Sequence, residues 1–243
     1  MHLKETLSHL MSENLNSLEL FISKTIINTI NPHSYCIAKK DELFAEALKS
    51  SDILLPDGIG MVMASTILNG KKISKIAGAD LHDYLLKEAD LKSLKVFYLG
   101  ASQQTLVKIE EKLKVEFPNI QVGSYSPAYK EQFNELDSSK MISKVNEFNS
   151  HILFVGMTAP KQEKWVFQNK NSLNVKVICS IGAVFDFYAG TVKRPSRIWI
   201  KLGLEWLPRF FREPMRLFRR NFISTPKFIM EVISYKIFGK GIL

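Results

Sequence analysis

Over residues 1–192 of this 243-residue chain, short apolar runs alternate with longer stretches of helical periodicity, and this alternation constrains the fold more than any other feature. An apolar run followed by an amphipathic segment is the pattern of a βα unit, and repeated units assemble into a mainly parallel sheet. The expected fold is therefore α/β and Rossmann-like, a sheet flanked by helices. Strands are expected at Thr25–Asn28, Asp52–Leu55, Val96–Leu99, Gln121–Tyr125, Ile152–Val155 and Val175–Ile181. Gln103–Glu116 reads as a helix because Leu106, Ile109, Leu113 and Phe117 recur at helical spacing and Pro118 stops the run. A second helix is expected over Lys39–Lys49, with Leu43, Ala47 and Leu48 on one side. A soft lobe boundary falls near Leu91–Leu94.

Charge divides the chain more sharply. The formal net charge is +9, and residues 1–192 carry 21 basic and 21 acidic groups. From Lys193 onward, twelve Lys and Arg face three acids, Glu205, Glu213 and Glu231, so the whole excess lies there. The expected organisation is an α/β catalytic domain, residues 1–192, followed by a basic, aromatic C-terminal helical appendage, residues 193–243. Arg209, Arg212, Arg216 and Arg219 are spaced three, four and three, which aligns them on one face of a helix, although Pro214 interrupts or restarts it. Phe211, Met215, Phe218 and Phe222 form a neighbouring apolar stripe. A basic face beside an aromatic one suits an anionic membrane surface, where each positive charge contributes roughly 1 kcal/mol. A helix packed on the core, or an RNA-binding segment, would use the same residue types, but no RNA-binding signature accompanies them. An aromatic appendage also serves a subunit interface, which leaves a homo-oligomer open.

No apolar run reaches the length of about eighteen residues that a membrane span needs. Glu5, Ser8 and Glu13 do not suit a signal peptide, so the expected location is cytoplasmic. Cys36 and Cys179 have neither disulfide-framework nor zinc spacing, and His2, His9, His33, His82 and His151 form no metal-ligand pattern. No Asp-x-Asp pair occurs, so no carboxylate clamp for a divalent ion on a nucleotide diphosphate is expected.

Candidate chemistry gathers just after the strands. Asp57, between Pro56 and Gly58, directly follows an apolar run, and ligands of open α/β sheets collect at the carboxyl ends of strands. Asp57 is placed to be a general base, or to cap the following helix. Thr29 and Asn31 follow the first strand and belong either to the same rim or to a turn. Gly100 and Ala101 join a strand to the Gln103 helix, where backbone N–H groups can hold a phosphate; a tight turn needs glycine for steric reasons as well. After Gly156, Pro160 suits the first helical position, and Lys161, Gln162 and Glu163 present cation, amide and carboxylate on the opening turn. Gly182 and Asp186 follow the last strand, Asp186 fitting a ribose or base edge, or a loop cap.

Taken in order, several motifs resemble those of the WecG/TagA/CpsF glycosyltransferases over about Thr25 to Phe228. They are Thr29-x-Asn31-Pro32, Pro56-Asp57-Gly58-x-Gly60, Ala77-Gly78-Ala79-Asp80-Leu81, Ala159-Pro160-Lys161-Gln162-Glu163-Lys164-Trp165, Gly182-Ala183-x-Phe185-Asp186-Phe187-x-Ala189-Gly190-x-Val192-Lys193-Arg194-Pro195, and Gly203-Leu204-Glu205-Trp206-Leu207-x-Arg209. The resemblance implies an inverting, metal-independent hexosyltransferase without a cofactor, peripheral on the inner face of the bacterial plasma membrane. Its implied donor is UDP-N-acetylmannosamine or the related uronic acid. The implied acceptor is an undecaprenyl diphosphate-linked sugar in cell-surface polysaccharide or teichoic acid synthesis. By the same resemblance Asp57 is the general base, Thr29 is its partner near the reacting sugar, and Gln162 is a pocket position; Asn31, next to Thr29 on the rim, is a further catalytic candidate. Arg209, Arg216 and Arg219 would close over the diphosphate. Where many members carry arginine before the Ala77 motif, this chain has Lys75, which keeps the charge but not the forked hydrogen bonding. The rival readings are a non-catalytic scaffold of a polysaccharide pathway and a nucleic-acid-binding module. A nicotinamide-dependent oxidoreductase lacks its Gly-x-Gly-x-x-Gly turn here.

Overall fold

The computed structural model describes residues 1–11, 14–192 and 214–241, together with the isolated positions 199, 207 and 210. The described residues form one six-stranded, all-parallel sheet in the order β2-β1-β6-β5-β3-β4. The strands are β1 (Thr25–Ile30), β2 (Ile53–Pro56), β3 (Lys95–Gly100), β4 (Gln121–Tyr125), β5 (Ile152–Gly156) and β6 (Val177–Ser180). The expected strand at Val175–Ile181 is shorter in the structure because buried Val175 and Ile181 continue the apolar run beyond the ladder. Conversely, β1 and β5 extend past the expected ends to Ile30 and Gly156.

Both faces of the sheet's centre are covered, so β3 and β5 read as nearly continuous apolar runs, whereas the edge strand β4, Gln-Val-Gly-Ser-Tyr, is half-exposed. Val96 and Tyr98 of β3, with Ile152 and Phe154 of β5, pack under α5 (Gly78–Leu91), α6 (Gln103–Glu116) and α9 (Val184–Tyr188). Their neighbours Phe97, Leu99, Leu153 and Val155 face the opposite way, against α7 (Glu135–Phe148) and α8 (Lys161–Asn169). Each fully buried Leu, Ile or Phe contributes about 2 kcal/mol of hydrophobic stabilisation. His82 is among these buried residues, 2.7 Å from the Tyr98 hydroxyl; burial lowers its pKa to about 3, so it is a neutral core group.

A third cluster covers the β2 edge. It joins α1 (Leu3–Ser8), α2 (Pro32–Ala38), α3 (Glu42–Lys49), α4 (Ile59–Asn69) and α11 (Thr225–Phe238), through Tyr35, Phe44, Met61, Phe228 and Val232. Before α11 come the short α10 (Pro214–Phe218) and a π-helical segment, Arg219–Ser224. The helix expected at Lys39–Lys49 is α3, which starts three residues later, at Glu42, because a separate helix, α2, ends at Ala38 just before it. Asn31 caps α2 by accepting from His33 N and Ser34 N, and the Asp41 side chain then accepts from Phe44 N and starts α3 afresh.

Candidate active site

β3 is followed in sequence by β4 on one side and β5 by β6 on the other, so a crevice opens where the order diverges, at the carboxyl ends of the central strands. A cleft of about 760 Å³ lies there, and its walls come from the segments that follow every strand. At one end, Ile30 pairs with Pro56, and Asp57 N donates to Ile30 O at 2.9 Å, which holds the aspartate beside the end of β1. Gly58 follows with φ +101, a conformation that a side chain strongly disfavours. That turn carries the chain directly from β2 into α4 and leaves Asp57 on the rim. Thr29, Asn31 and Asp57 all line the cleft. Asn31 Oδ1 is engaged in its cap at 3.0 Å to both N–H groups, so its NH2 is the part left to reach a ligand.

The other end is made of backbone. Gly100 and Gly156 pair across β3 and β5, and Ala101 N donates to Gly156 O at 3.0 Å. A Cβ on Gly100 would sit 2.5 Å from Gly156 O, and one on Gly156 would collide with the Phe185 ring. A Cβ on Gly182 would lie 2.6 Å from Met157 O. The three glycines thus permit a close approach of strand ends and helix starts. Ser102 caps α6 through Thr105 N, and the Thr105 and Thr191 hydroxyls hold Asp186 Oδ1 at 3.5 and 3.2 Å. Gly100, Ala101, Gly156, Gly182 and Asp186 all line the cleft.

Between these ends stands the start of α8, where Pro160 is the N-cap rather than the first helical residue. Gln162 is buried, and its Oε1 accepts from Met157 N and Gly182 N, both at 3.2 Å. Its amide donates to Glu163 Oε1 at 2.8 Å. Glu163 is 3% exposed, and burial raises its carboxyl to about 7 against the hydrogen bond from Gln162, which lowers it. Glu163 Oε2 and Ser180 Oγ are buried without a partner among the described residues, and both residues line the cleft. Lys161 also lines it, but its ammonium donates to Lys130 O at 2.6 Å and lies 5.0 and 4.9 Å from the Tyr129 and Phe133 rings. It anchors the loop after β4 over the cleft.

Among the described residues of the C-terminal segment, Arg220 is on the wall. Arg219 is exposed and is not on the wall, while Arg209 and the side chain of Arg216 lie outside the described residues. Next to Arg220, His33 Nδ1 is 2.8 Å from Ser224 Oγ; burial, then Arg220 and Arg219, lower the imidazole to about 4. Lys75 is half-buried, and neither it nor Gly58 is on the wall. Among the described residues, no three His, Cys, Asp or Glu side chains gather as a metal site. Sequence reasoning passed over Ser126 and Tyr129, although the rule that ligands meet strand ends applies equally to β4. It also passed over Ser180, Thr105 and Arg220.

Residues 5–241 match the model of the glycosyl transferase WecG/TagA/CpsF family. The chain is similar to the N-acetylglucosaminyldiphosphoundecaprenol N-acetyl-beta-D-mannosaminyltransferase of Bacillus subtilis (strain 168), 33% identical over 208 residues, 86% of this chain and 78% of that protein. It is 30% identical over 210 residues to the protein of the same name in Staphylococcus aureus (strain MW2), covering 86% of this chain and 80% of that one.

Proposed function

The chain belongs to the WecG/TagA/CpsF family of glycosyltransferases, and from that premise we propose that it transfers N-acetylmannosamine from UDP to undecaprenyl diphosphate-linked N-acetylglucosamine in teichoic acid or related polysaccharide synthesis. The observation that carries this reading is the division of one cleft: Asp57 and Thr29 at one end, glycine turns at the other. In this reading the backbone turns at Gly100 and Gly156 receive the nucleotide diphosphate, and the sugar extends towards Asp57. Asp57 takes the proton from an acceptor hydroxyl as its oxygen attacks the anomeric carbon from the face opposite UDP. The bond from that carbon to the diphosphate oxygen breaks, UDP leaves with the electron pair, and the configuration inverts. One base suffices. Arg220 stands on the cleft wall to meet the charge of the leaving diphosphate, and the further arginines of the segment would add to it.

The lipid-linked acceptor implies contact with a membrane. No helix of the described residues is long and apolar enough to cross one, so the contact proposed is peripheral, with the basic C-terminal segment on anionic lipid. The test is UDP release in EDTA from UDP-N-acetylmannosamine with a lipid diphosphate-linked N-acetylglucosamine, comparing wild type with Asp57→Asn. Acceptor-dependent release that collapses in the variant is expected. No release from any donor and acceptor pair would overturn the reading.

A further inference from the structure

Two exposed apolar stripes lie side by side next to the cleft, and the transfer chemistry uses neither. On α4, Ile59, Met63 and Ile67 recur at every fourth residue and are 51%, 55% and 41% exposed. On α11, Ile229, Ile233 and Ile237 recur in the same way and are 50%, 50% and 65% exposed, with Met230 beside them. The helices run side by side in one direction. A Cβ on Gly60, at the start of α4, would lie 3.9 Å from the Phe228 ring near the start of α11, and Lys236 Nζ near the end of α11 donates to Ile67 O at 3.2 Å. Met61 and Ala64 of α4 and Phe228 and Val232 of α11 enter the same core cluster, so the opposite sides of both helices form one outer surface.

A surface helix of a soluble domain ordinarily turns polar residues outward, and contiguous apolar patches mark sites of interaction. The rim of this one is basic. Exposed Lys71 and Lys72 follow the Gly70 cap of α4, and exposed Lys236 and Lys240 flank the end of α11. Residues 59–72 contain no acid, and the single acid of residues 225–241, Glu231, is buried with Tyr35 and Lys39 as partners. An apolar surface with a cationic rim and no outward carboxylate complements a bilayer with anionic headgroups.

We propose that α4 and α11 together are a docking face for an anionic lipid bilayer, so that residues 1–192 meet lipid directly and not through the C-terminal segment alone. The purpose assigned to this face rests on the transferase reading, since it serves a lipid-linked acceptor. Ile59 is two residues from Asp57, and α11 continues from the segment that carries Arg220. Docking therefore sets the cleft at the level where a lipid diphosphate leaves the headgroups.

The test is co-sedimentation of the full chain with vesicles of phosphatidylglycerol and phosphatidylcholine in equal parts, using a double variant, Met63→Glu with Ile67→Glu. Vesicle binding is expected to fall roughly tenfold or more, with UDP release on a short-chain, water-soluble acceptor unchanged. Met63→Ser with Ile67→Ser, which adds no charge, is expected to weaken binding in the same direction and replaces the first pair if that misfolds. Unchanged binding in a folded variant would overturn the proposal. So would conversion of a dimer to a monomer at unchanged vesicle binding, which would assign the face to a second copy of the chain. Equal binding of wild type to pure phosphatidylcholine would overturn the anionic assignment. Should every donor fail to release UDP while the variants still lose the vesicles, the transferase reading falls and the docking face stands.

Discussion

The two ends of the cleft are built on opposite principles. At the β1 and β2 end the wall consists of side chains, Thr29, Asn31 and Asp57, the last left on the rim by the positive-φ Gly58. At the β3, β5 and β6 end it consists largely of backbone, and Gly100, Gly156 and Gly182 leave no room for a Cβ. Side chains can move a proton; glycine turns can only hold and fit. The difference teaches that a change of functional group should disable the first end at little structural cost, whereas the second end is sensitive to a single added carbon.

The largest effect expected is at Asp57. Asp57→Asn keeps the shape and removes the base, so kcat should fall roughly a thousandfold while KM for the donor and the melting temperature stay near wild type; a fall in stability instead would erase the contrast. Gly156→Ala should do the reverse. Its Cβ meets the Phe185 ring, and overpacking of this kind costs about 3 kcal/mol, read as a lower denaturation midpoint. If the variant stays stable and loses only donor binding, the glycine end is a ligand contact before it is a packing device.

Glu163, between the two ends, offers a smaller effect that depends on pH. Burial lifts its carboxyl from 4.5 to about 7, so between those values the folded chain keeps a proton that the unfolded chain has released. This contribution is fully present below pH 4.5 and is lost as pH rises through 7. Wild type should therefore lose about 2 kcal/mol relative to Glu163→Gln between about pH 5 and about pH 8, measured by denaturant titration at both values. The smallest effect expected is at Asn31, where Asn31→Ala removes the α2 cap and costs about 1 kcal/mol. Asn31→Asp keeps the cap oxygen; if it nonetheless lowers transfer, the Asn31 NH2 touches substrate.

Much of this arrangement is legible in the sequence. The inner strands announce themselves because both their faces are covered, and the residues that follow them fall on the cleft by the geometry of parallel sheets. The sheet order is not legible, since parallel pairing leaves no local turn signal to read. Nor is α4: nearly every residue of Ile59–Asn69 is apolar or small, and a helix apolar on several sides shows no period. Arg220 escaped because a three-and-four spacing assumes 3.6 residues per turn. Arg219–Ser224 is π-helical, which turns the side chains of the segment away from that register.

The place of β6 has a consequence for how the protein is made. Val177–Ser180 lies between β1 and β5, so, among the described strands, the last in chain order is the one that joins the first two to the other three. Until it emerges, a nascent chain holds two separate blocks, each with an unsatisfied inner edge, and contacts this distant in sequence form slowly. Completion of the sheet therefore waits for β6, whatever the order in which the two blocks form. A premature stop before Val177 would therefore remove the keystone of the sheet and leave two adhesive fragments.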